Sequence, residues 1–541
     1  MLNTAPPPNR LDRAISWISP AWGARRTRAR IVDALYGSWN GASRSRRQTK
    51  SWATQAADAD ADTLDDLSAL RQRSRDLARN APVATGAIGT AQANVVGTGL
   101  KLQSRIDAEF LRLSDDQADA WQDAVEREWR LFSETTECDY SRILNFHALQ
   151  VLAFRSTLEN GDCFALLPRL KRPGSPYLLK IQLVEADRVC NKDRAPDKAG
   201  LVAGIEKDEA TGAPLRYHVM NQHPECPYVA AKGYSWEIVE AFGEKTGLRN
   251  VLHLYEQLRI GQTRGVPFLA PVIETLKMLD RYTEAELMAA VVSGLFTVFV
   301  KSATGDLDFG TLSGMATETG ATSSDDDIKL GPGAVVGLQT GKDIVSANPG
   351  RPNTAFDPFV KAILEQIGAA LGIPFEVLIR HFNSSYSASR AALLEAWRFF
   401  RTRRVWLVSS FCQPVYETFL WEAVSSGRIQ APGFFASELI RKAYSRAAWI
   451  GDSPGYVDPD KDVQAATDRI AGRLSTLDEE TALLTGGDFE ANLRQMAKEK
   501  RMLDKAGLAP APPQPKPATG KPQDDDTPPV PGGQPNQGGG Q

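Results

Sequence analysis

Cysteine is scarce in this sequence. The 541 residues hold five cysteines, an odd number, and no C-x-x-C pair occurs. A secreted scaffold held together by disulfides needs an even and denser set, so this usage indicates a reducing compartment. The N-terminus carries prolines and arginines but no apolar stretch typical of a signal peptide, and we therefore expect no export.

Long apolar runs are also missing. The longest has 14 residues, from Leu287 to Val300, whereas a membrane-spanning helix needs about 20. We predict that this run is the end of a helix that continues into buried structure, and we expect no membrane partner. A membrane-associated assembly factor that inserts this run is kept as an alternative, which flotation with liposomes would detect.

Catalytic patterns are missing as well. No G-x-S-x-G occurs. The stretch GLQTGKD (Gly337 to Asp343) has three residues between its glycines instead of four, and Asp343 stands where a phosphate loop needs Ser or Thr. VVGTGL begins like a dinucleotide loop, but Leu102 occupies the position of the third glycine. Turns explain both stretches better than nucleotide sites.

Three further patterns have simpler explanations than chemistry. His218, His223 and Cys226 form H-x4-H-x2-C without an evident fourth zinc ligand. The acidic run SSDDD is typical of a solvated loop, and His381 has no partner in the sequence that would make it a base. We therefore predict no catalytic, cofactor-binding or metal residues, no cofactor and no enzyme; a DNA-packaging motor enzyme is kept as an alternative.

Charge is balanced overall but not locally. The net charge is −3, yet residues 1–50 contain ten Lys or Arg against two Asp. We expect a disordered basic arm there, and the alternative is an arm that contacts nucleic acid or another anionic surface. Proline and glycine dominate residues 508–541, which we also expect to be disordered.

The middle of the chain mixes helical and strand patterns, as expected for two to four domains. Apolar spacing predicts helices at 61–80, 114–133 and within 457–507. The stretches LLKIQLVEA, LRYHVM and NVLHLYE predict short strands, with ATGAP as a turn. In the first of these strands, the alternation puts Leu179, Ile181 and Leu183 on one face and Lys180 on the other.

Two helices flank a polar segment of about fifty residues. The first is predicted from about 271 to 298, with an apolar stripe that includes Leu276 and Leu279 and continues to Leu287 and Val291. The second is predicted at 358–371, where Pro358 suits a first helical turn and Gly372 followed by Pro374 ends it.

A serine-rich loop at about 375–388 leads into an arginine-rich helix. At 100° per residue four arginines fall on one face about 120° wide; they are Arg390, Arg398, Arg401 and Arg404. A separate apolar stripe includes Leu393, Phe400, Leu407 and Phe411, and Arg403 falls outside the basic face. The arginines either face a polyanion or form salt bridges within or between subunits.

Several stretches together resemble the lambda-type portal proteins of tailed bacteriophages. They are LRQRSRDLARNAPVATGAIGTAQANVVGTGLKLQ, GIEKDEATGAPLRYHVMNQHP, VLHLYEQLRIGQTRGVPFLAPVIETLKMLDRYTEAEL, IGAALGIPFEVL with SYSASRAALLEAWR, and VDPDKDVQAATDRIAGRLST. The resemblance covers roughly residues 60–507, and the order and spacing of the pieces carry it.

The resemblance implies a ring of the chain with itself, usually of twelve subunits, at one capsid vertex. Double-stranded DNA would pass through it during packaging and ejection without sequence readout. Further implied partners are the terminase large subunit, a head-completion or tail connector protein, and a major capsid or scaffold protein. The implied location is the virion, with assembly in the host cytoplasm. The implied fold class is α+β.

The same resemblance divides the chain. The implied parts are a wing (51–265), stem helix 1 (266–300), a clip (301–356), stem helix 2 (357–373), a channel loop (374–388), a long helix and wing return (389–452), and a helical crown (453–507). The implied DNA-channel residues are Arg380, His381, Asn383, Ser384 and Ser385. The basic helix face behind them would support the loop, and Asp325, Asp326 and Asp327 would contribute to partner binding at the clip.

Overall fold

The computed structural model divides the chain into two compact units, residues 1–452 and residues 453–541. The structure describes residues 10–35, 47–49, 51–54, 56–228, 233–294, 298–301, 335–338, 356–382, 385–455 and 458–508. Helices and strands are mixed throughout the first unit, and the described part of the second unit is helical.

The helices of the first unit come before, between and after its strands. They are α1 (Arg10–Ile18), α2 (Pro20–Leu35), α3 (Leu64–Asn80), α4 (Pro82–Val95), α5 (Ala108–Leu111), α6 (Asp115–Ser133), α7 (Phe146–Asn160), α8 (Ile273–Gly294), α9 (Phe356–Leu371), α10 (Phe375–Leu378), α11 (Tyr386–Leu407), α12 (Gln413–Ser425) and α13 (Glu438–Tyr444). A π-helical turn, Val408–Cys412, joins α11 to α12.

Eleven strands are described, and they form four small sheets. They are β1 (Lys101–Ser104), β2 (Asp162–Leu166), β3 (Gln182–Glu185), β4 (Leu201–Val202), β5 (Ile205–Lys207), β6 (Pro214–Met220), β7 (Trp236–Glu240), β8 (Val251–Tyr255), β9 (Val298–Lys301), β10 (Val335–Leu338) and β11 (Ala447–Ile450). The sheet orders are β3-β2-β8 and β4-β5-β6-β7, both antiparallel, with the pairs β1-β11 (antiparallel) and β9-β10 (parallel).

Strand β2 is the centre of the three-stranded sheet and is buried along its whole length. It pairs Phe164 with Val184 of β3 and with His253 of β8. The predicted strands at β6 and β8 are confirmed. In the stretch LLKIQLVEA the strand is shorter than predicted, since β3 begins at Gln182. Lys180 before it is buried, and its Nζ donates to Tyr177 O at 2.7 Å and to Ser175 Oγ at 3.0 Å.

An aromatic core joins the helices to the strand pair β1-β11. Trp129 of α6 lies at its centre, with ring centroids 5.1 Å from Phe146 and 5.0 Å from Phe419. The rings of Tyr416 and Trp449 lie 5.7 Å and 5.9 Å away. Edge-to-face packing of this kind stabilises beyond the area that it buries, so α6, α7, α12 and β11 form one packed body.

Side-chain caps explain where two of these helices begin. The Oγ of Ser114 accepts from Gln117 N at 3.3 Å, and the Gln117 side chain accepts from Ser114 N in return, which is a capping box at the start of α6. Asn145 Oδ1 accepts from Ala148 N at 2.9 Å at the start of α7. The predicted helix at 114–133 is confirmed by α6, and the one at 61–80 by α3.

Helices α8 and α9 confirm the predicted pair and pack against each other. The ring of Tyr282 in α8 lies 5.6 Å from Phe356 and 5.1 Å from Phe359. Leu276 of α8 is buried as the sequence predicted. The apolar run after it differs from the prediction, because Leu287 is 65% exposed within the single chain. Among the described helices, none combines the length and the apolar character that a bilayer crossing requires.

The N-terminal arm also differs from the sequence expectation. Residues 10–35 form α1 and α2, which pack together where a Cβ on Gly23 would clash with the backbone and side chain of Ser16. The pattern of NRLDRAISW and its surroundings favours no particular element. Several large apolar side chains of this hairpin are exposed; they are Leu11, Trp17, Ile18 and Trp22.

The described part of the second unit consists of α14 (Pro459–Ala471), α15 (Leu477–Thr485) and α16 (Phe489–Ala506). Asp458 and Asp488 cap α14 and α16 through their carboxylates. Arg469 and Glu480 join α14 to α15 by a bidentate ion pair at 2.7 and 2.6 Å. The helices predicted within 457–507 are confirmed.

Candidate nucleic-acid interface

The segment before α11 contains less loop than the sequence predicted. Helix α10 occupies 375–378, and Ser385 is the N-cap of α11, with its Oγ accepting from Ala388 N at 3.4 Å. Residues 379–385 are therefore left as the connection, where 374–388 was expected. Asn383 and Ser384 lie outside the described residues.

The described connecting residues are held at one end. His381 N donates to Glu376 O at 3.0 Å, and the Arg380 guanidinium approaches Thr90 Oγ1 of α4 at 3.5 Å. Arg380 has a positive φ of 55°, an uncommon conformation for a non-glycine residue. His381 and Phe382 are exposed, so this connection presents an imidazole and an aromatic ring to solvent.

Two arginines of α11 are exposed on one face. Arg398 keeps 81% of its side chain exposed while pairing with Glu395 at 3.2 Å, and Arg401 one turn later is also exposed. An exposed ion pair of this kind contributes little to stability. Arg390 at the start of the helix is half-buried. These residues agree with the predicted basic face, and the exposed charge is concentrated at Arg398 and Arg401.

The prediction that Arg404 belongs to this exposed face is wrong. Its Nε donates to Val95 O at 2.9 Å, and one terminal nitrogen donates to Asn94 O and Asp452 O at 2.9 and 3.0 Å. The C-terminus of α4 exposes carbonyls that lack helical partners, and a guanidinium with five N–H donors can satisfy several of them. Arg404 therefore caps α4.

A second set of hydrogen bonds, between Asp452 and Thr98, lies beside the Arg404 cap. Asp452, whose carbonyl accepts from Arg404, uses its carboxylate to accept from Thr98 N and Thr98 Oγ1, both at 2.8 Å. Gly97 follows α4 with a φ of 57°, and a Cβ there would collide with the Asp452 carboxylate. Position 97 therefore requires glycine.

Exchanging Arg404 for glutamine is expected to destabilise the first unit by about 2–3 kcal/mol, because hydrogen bonds from a charged donor to part-buried carbonyls are lost. Arg401→Gln on the same helix is the matched control and should stay within about 0.5 kcal/mol of the parent. Urea unfolding followed by tryptophan fluorescence measures both. Equal effects of the two substitutions would contradict the capping role.

Arg403 falls outside the basic face, as predicted. It pairs with Glu256 at 2.5 Å, and its guanidinium lies over the rings of Phe268 and Phe399 at 5.7 and 5.2 Å. Arg403 therefore forms a salt bridge within the chain although it lies outside the basic face, and within that face Arg398 forms one with Glu395. Backbone capping replaces both alternatives for Arg404.

Sequence reasoning missed a buried cluster of charges around Asp162. Asp162 is fully buried and lies 2.5 Å from Arg264 Nε and 2.9 Å from an Arg71 terminal nitrogen. Arg264 is buried too, and it also donates to three backbone carbonyls; they are those of Ala186, Val189 and Ala203, at 2.6 to 2.8 Å. Burial alone would raise the pKa of Asp162, but Arg264 and Arg71 hold it well below its usual range.

A histidine completes this cluster. His253 of β8 lies with its Nε2 3.3 Å from Asp162 Oδ2 and stacks on the rings of Phe164 and Tyr255, each 4.2 Å away. Burial lowers the pKa of His253 to about 4, against the opposing attraction of Asp162, with Arg264 and Arg71 lowering it further. The imidazole is therefore neutral in the folded protein at neutral pH.

The free energy of unfolding of the first unit is expected to decrease as the pH is lowered from about 6.5 to about 4. Unfolded chains protonate His253 near its ordinary pKa of ~6.5, whereas the folded chain resists until about pH 4. The unfolded state thus binds more protons in this window, and about 3 kcal/mol is lost at ~1.4 kcal/mol per pKa unit. The urea concentration at the midpoint of unfolding, measured at several pH values across this range, tests the predicted loss.

A His253→Phe variant should flatten this pH dependence, while His381→Gln, at an exposed position, should leave it unchanged. If the His253→Phe variant keeps the same loss between pH 6.5 and 4, another group causes it.

Of the remaining sequence candidates, His223 lies at the edge of this cluster, because its partner Asp187 also pairs with Arg71 at 3.6 Å. His218 Nε2 pairs with Glu206 at 2.7 Å, His223 Nε2 approaches Asp187 at 3.5 Å, and the Cys226 thiol donates to a backbone carbonyl. In the part of the chain that the structure describes, no group of three metal-ligating side chains occurs. Asp325, Asp326 and Asp327 lie outside the described residues, as do Gln339 to Asp343 of GLQTGKD.

Comparison with known proteins identifies the class as phage structural proteins that serve as portals. The family model "Phage portal protein, lambda family" matches residues 45–404, which is most of the chain. The chain belongs to the lambda family of phage portal proteins. Helices α1 and α2 precede the matched residues, and α12 and the elements after it follow them.

Individual relatives agree with this assignment. Portal protein B of Escherichia phage lambda and the portal protein of Escherichia phage N15 are each 26% identical over 481 residues, which cover 86% of this chain and 89% of each relative. The probable portal protein of Halomonas phage phiHAP-1 is 22% identical over 483 residues, 86% of each chain.

Solved structures similar to this chain come from a gene transfer agent particle. One is from the virion of the native particle, with a TM-score of 0.37, 11% identity and coverage of 78% of this chain and 94% of that chain. Another is from the neck of the native particle computed with C12 symmetry, with a TM-score of 0.38, 12% identity and the same coverage.

Proposed function

We propose that copies of this portal protein close into a ring of twelve subunits at one capsid vertex, and that double-stranded DNA passes through the axial channel during packaging and ejection. The family match over residues 45–404 is the observation that carries this proposal. In a closed ring each exposed side chain recurs once per subunit, so a single arginine becomes a circle of positive charge.

The assignment of parts follows the order of the elements. We assign residues 51–265 and 389–452 to a wing, α8 and α9 to a stem, 301–356 to a clip and 453–507 to a crown. The clip, including Asp325, Asp326 and Asp327, would bind the terminase large subunit during packaging and a head-completion or tail connector protein afterwards. The wing would face a major capsid or scaffold protein. Assembly would take place in the host cytoplasm before the ring becomes part of the virion.

Exposed apolar side chains on α8 support assembly with further copies. Met278, Leu287, Met288 and Val291 are more than half exposed within the single chain, and so is Phe359 of the neighbouring α9. Leu287, Met288 and Val291 fall within about 100° of one another around the helix, and exposed apolar side chains grouped in this way mark an interaction surface. Neighbouring α8-α9 pairs in a ring would remove these side chains from water.

The exposed arginines supply the contact with DNA. Duplex DNA carries one charge per ~1.7 Å of its axis, and cations bind this charge without reading sequence. Contacts to base edges would instead create sticking points of about 1–3 kcal/mol each, which a conduit has to avoid. In this proposal Arg398 and Arg401 give α11 a positive potential, and the connecting residues Arg380, His381 and Ser385 touch the duplex together with Asn383 and Ser384.

Mass photometry of the purified full chain tests the assembly. The proposal expects one dominant species at twelve times the 59.1 kDa of the chain, and no ATP or nuclease turnover by this species. Turnover of ATP by the purified chain would instead favour a packaging motor enzyme, and a species that stays at 59.1 kDa at every concentration and salt would contradict the ring.

A further inference from the structure

The hairpin of α1 and α2 exposes large apolar side chains to solvent. Trp17 is 88% exposed and Ile18 is 76% exposed. Within residues 11–28, every described side chain except those of Ile15 and Ser19 is exposed, so the rest of the first unit covers little of the hairpin. Single exposed apolar residues are common on protein surfaces, and the arrangement of these side chains therefore decides what they indicate.

One side of α1 carries an apolar stripe, which we define as Leu11, Ile15 and Ile18. The two helices of the hairpin approach each other where Gly23 packs against Ser16. At 100° per residue the members of the stripe fall within about 60° of one another, whereas Ser16 lies about 100° or more from each of them. The contact with α2 therefore leaves the stripe uncovered, and Leu11 is 64% exposed.

Positive charge accompanies the stripe. Residues 10–35 contain six arginines, two aspartates and neither lysine nor glutamate, a net charge of +4. Arg13 of α1 and Arg25 and Arg28 of α2 are exposed. A helical element with an apolar side and arginines on its remaining surface is typical of segments that lie flat on an anionic membrane surface.

The two tryptophans of the hairpin fit the same kind of surface. Trp17 belongs to α1 and Trp22 to α2, and both are more than two thirds exposed. An indole combines an apolar ring system with one N–H donor, and tryptophan is therefore enriched where the hydrocarbon of a bilayer meets its headgroups. The apolar face of such helices is buried about 5–10 Å into this boundary, a depth that side chains reach without any helix spanning the bilayer.

Other occupants explain only part of this surface. Duplex DNA attracts arginines through its phosphates, and single strands stack on exposed aromatic rings, but neither offers an apolar phase for Leu11 and Ile18. A groove on another protein would cover the stripe without needing the net charge of +4. An anionic bilayer accounts for the stripe, the tryptophans and the charge together.

We propose that the α1-α2 hairpin binds the surface of an anionic lipid bilayer, with the stripe and both tryptophans in the headgroup boundary and the arginines on lipid phosphates. Such a contact needs no run of about 20 apolar residues, so the expectation of no membrane partner, which came from the lack of such a run, does not apply to it. The inference goes beyond the proposed ring and does not depend on it, because α1 and α2 precede residues 45–404, which carry the family match.

Flotation of the purified full chain with lipid vesicles tests this proposal. Vesicles of equal parts phosphatidylglycerol and phosphatidylcholine are expected to carry the protein to the top of a density gradient, and vesicles of phosphatidylcholine alone are not. Raising the salt to about 1 M shortens the range of electrostatic attraction to about 3 Å, so binding should weaken. Failure to float with the anionic vesicles, or equal flotation with both compositions, overturns the proposal.

Substitutions in the hairpin separate the apolar contribution from the charged one. Leu11→Gln with Ile18→Gln introduces good helix formers and should weaken vesicle binding about 100-fold, because two apolar side chains are no longer buried. Arg25→Gln with Arg28→Gln should weaken it about 25-fold, at about 5-fold for each arginine near an anionic surface. Both variants should form rings as the parent does.

Matched controls lie elsewhere in the first unit. Ile143→Gln with Ile260→Gln is the control for the apolar variant, since these isoleucines are 71% and 99% exposed. Arg73→Gln with Arg79→Gln on α3 is the control for charge, since both arginines are exposed. Both control variants should float as the parent does, and a loss in the controls equal to that in the hairpin variants would contradict the assignment to the hairpin.

The remaining outcomes assign the hairpin to another partner or separate this inference from the proposed function. Loss of rings in the Leu11/Ile18 variant would place the stripe between copies of the chain. Binding of a labelled duplex that depends on Arg25 and Arg28, without binding to anionic vesicles, would assign the hairpin to nucleic acid. Either result overturns the bilayer contact. A chain that floats but never forms rings overturns the proposed function and leaves the bilayer contact in place.

Discussion

Replacing Asp162 by asparagine is expected to destabilise the first unit by about 3–5 kcal/mol. The substitution preserves shape but leaves Arg264 buried without its counter-charge and Arg71 with Asp187 alone, at 3.6 Å, which is the costly way to break a buried ion pair. Single domains unfold with only about 5–15 kcal/mol, so much of the variant should unfold on mild heating. Urea unfolding followed by tryptophan fluorescence gives the value.

Asp62→Asn is the matched control for this prediction. Asp62 also pairs with an arginine, Arg259, but both side chains are about half exposed, and a pair of this kind contributes at most about 1 kcal/mol. A cost below about 1 kcal/mol for Asp162→Asn would contradict the view that the cluster holds the first unit together.

The cluster matters because it connects parts of the chain that are far apart in sequence. Asp162 begins β2, Arg71 belongs to α3, and Arg264 follows β8 and reaches the carbonyls between Ala186 and Ala203. The polar groups are mutually satisfied, which is what allows so much charge to be buried. The tertiary arrangement of these segments within the first unit therefore depends on the cluster.

Reversing the charge of Arg398 and Arg401 to glutamate is expected to weaken DNA binding by the ring about 100-fold or more at low salt. Each phosphate contact contributes ~0.9 to the slope of log affinity against log salt, so the slope should fall as well. Rings should form normally, because both side chains are exposed and Arg398 pairs only within its own helix. Fluorescence anisotropy with a labelled duplex measures affinity and slope.

Arg73→Glu with Arg79→Glu is the control for charge, since both arginines are exposed on α3. The outcomes decide between the alternatives for the basic face. Loss of rings in the Arg398/Arg401 variant would place these residues at a subunit interface, and intact rings with unchanged DNA affinity would remove α11 from the channel.

Periodicity predicted the elements whose burial follows a simple stripe. Helices α3, α6, α8 and α9 and strands β6 and β8 were located from apolar spacing, and Gly372 ends α9 with a φ of 68° as expected. The hairpin α1-α2 was not predicted, because arginines and prolines mask its short apolar stripe. Lys180 breaks the alternation of its strand pattern because backbone and hydroxyl oxygens from the preceding turn surround its ammonium group.

The site was harder to predict than the fold. The helical wheel placed Arg390, Arg398, Arg401 and Arg404 together, but a wheel does not show that the end of α4 lies beside Arg404. The Asp162 cluster depends on three segments that only the folded chain brings together, so no local pattern indicates it. Gly265, next to Arg264, packs directly against Gly161, next to Asp162, and this close approach too is visible only in the folded chain.

End-on electron microscopy of the purified full chain tests the central claim most directly. The account predicts closed rings with one rotational symmetry and an axial hole wide enough for a double helix. Particles that remain single chains under every assembly condition, or rings whose axis is closed to a duplex, would contradict it.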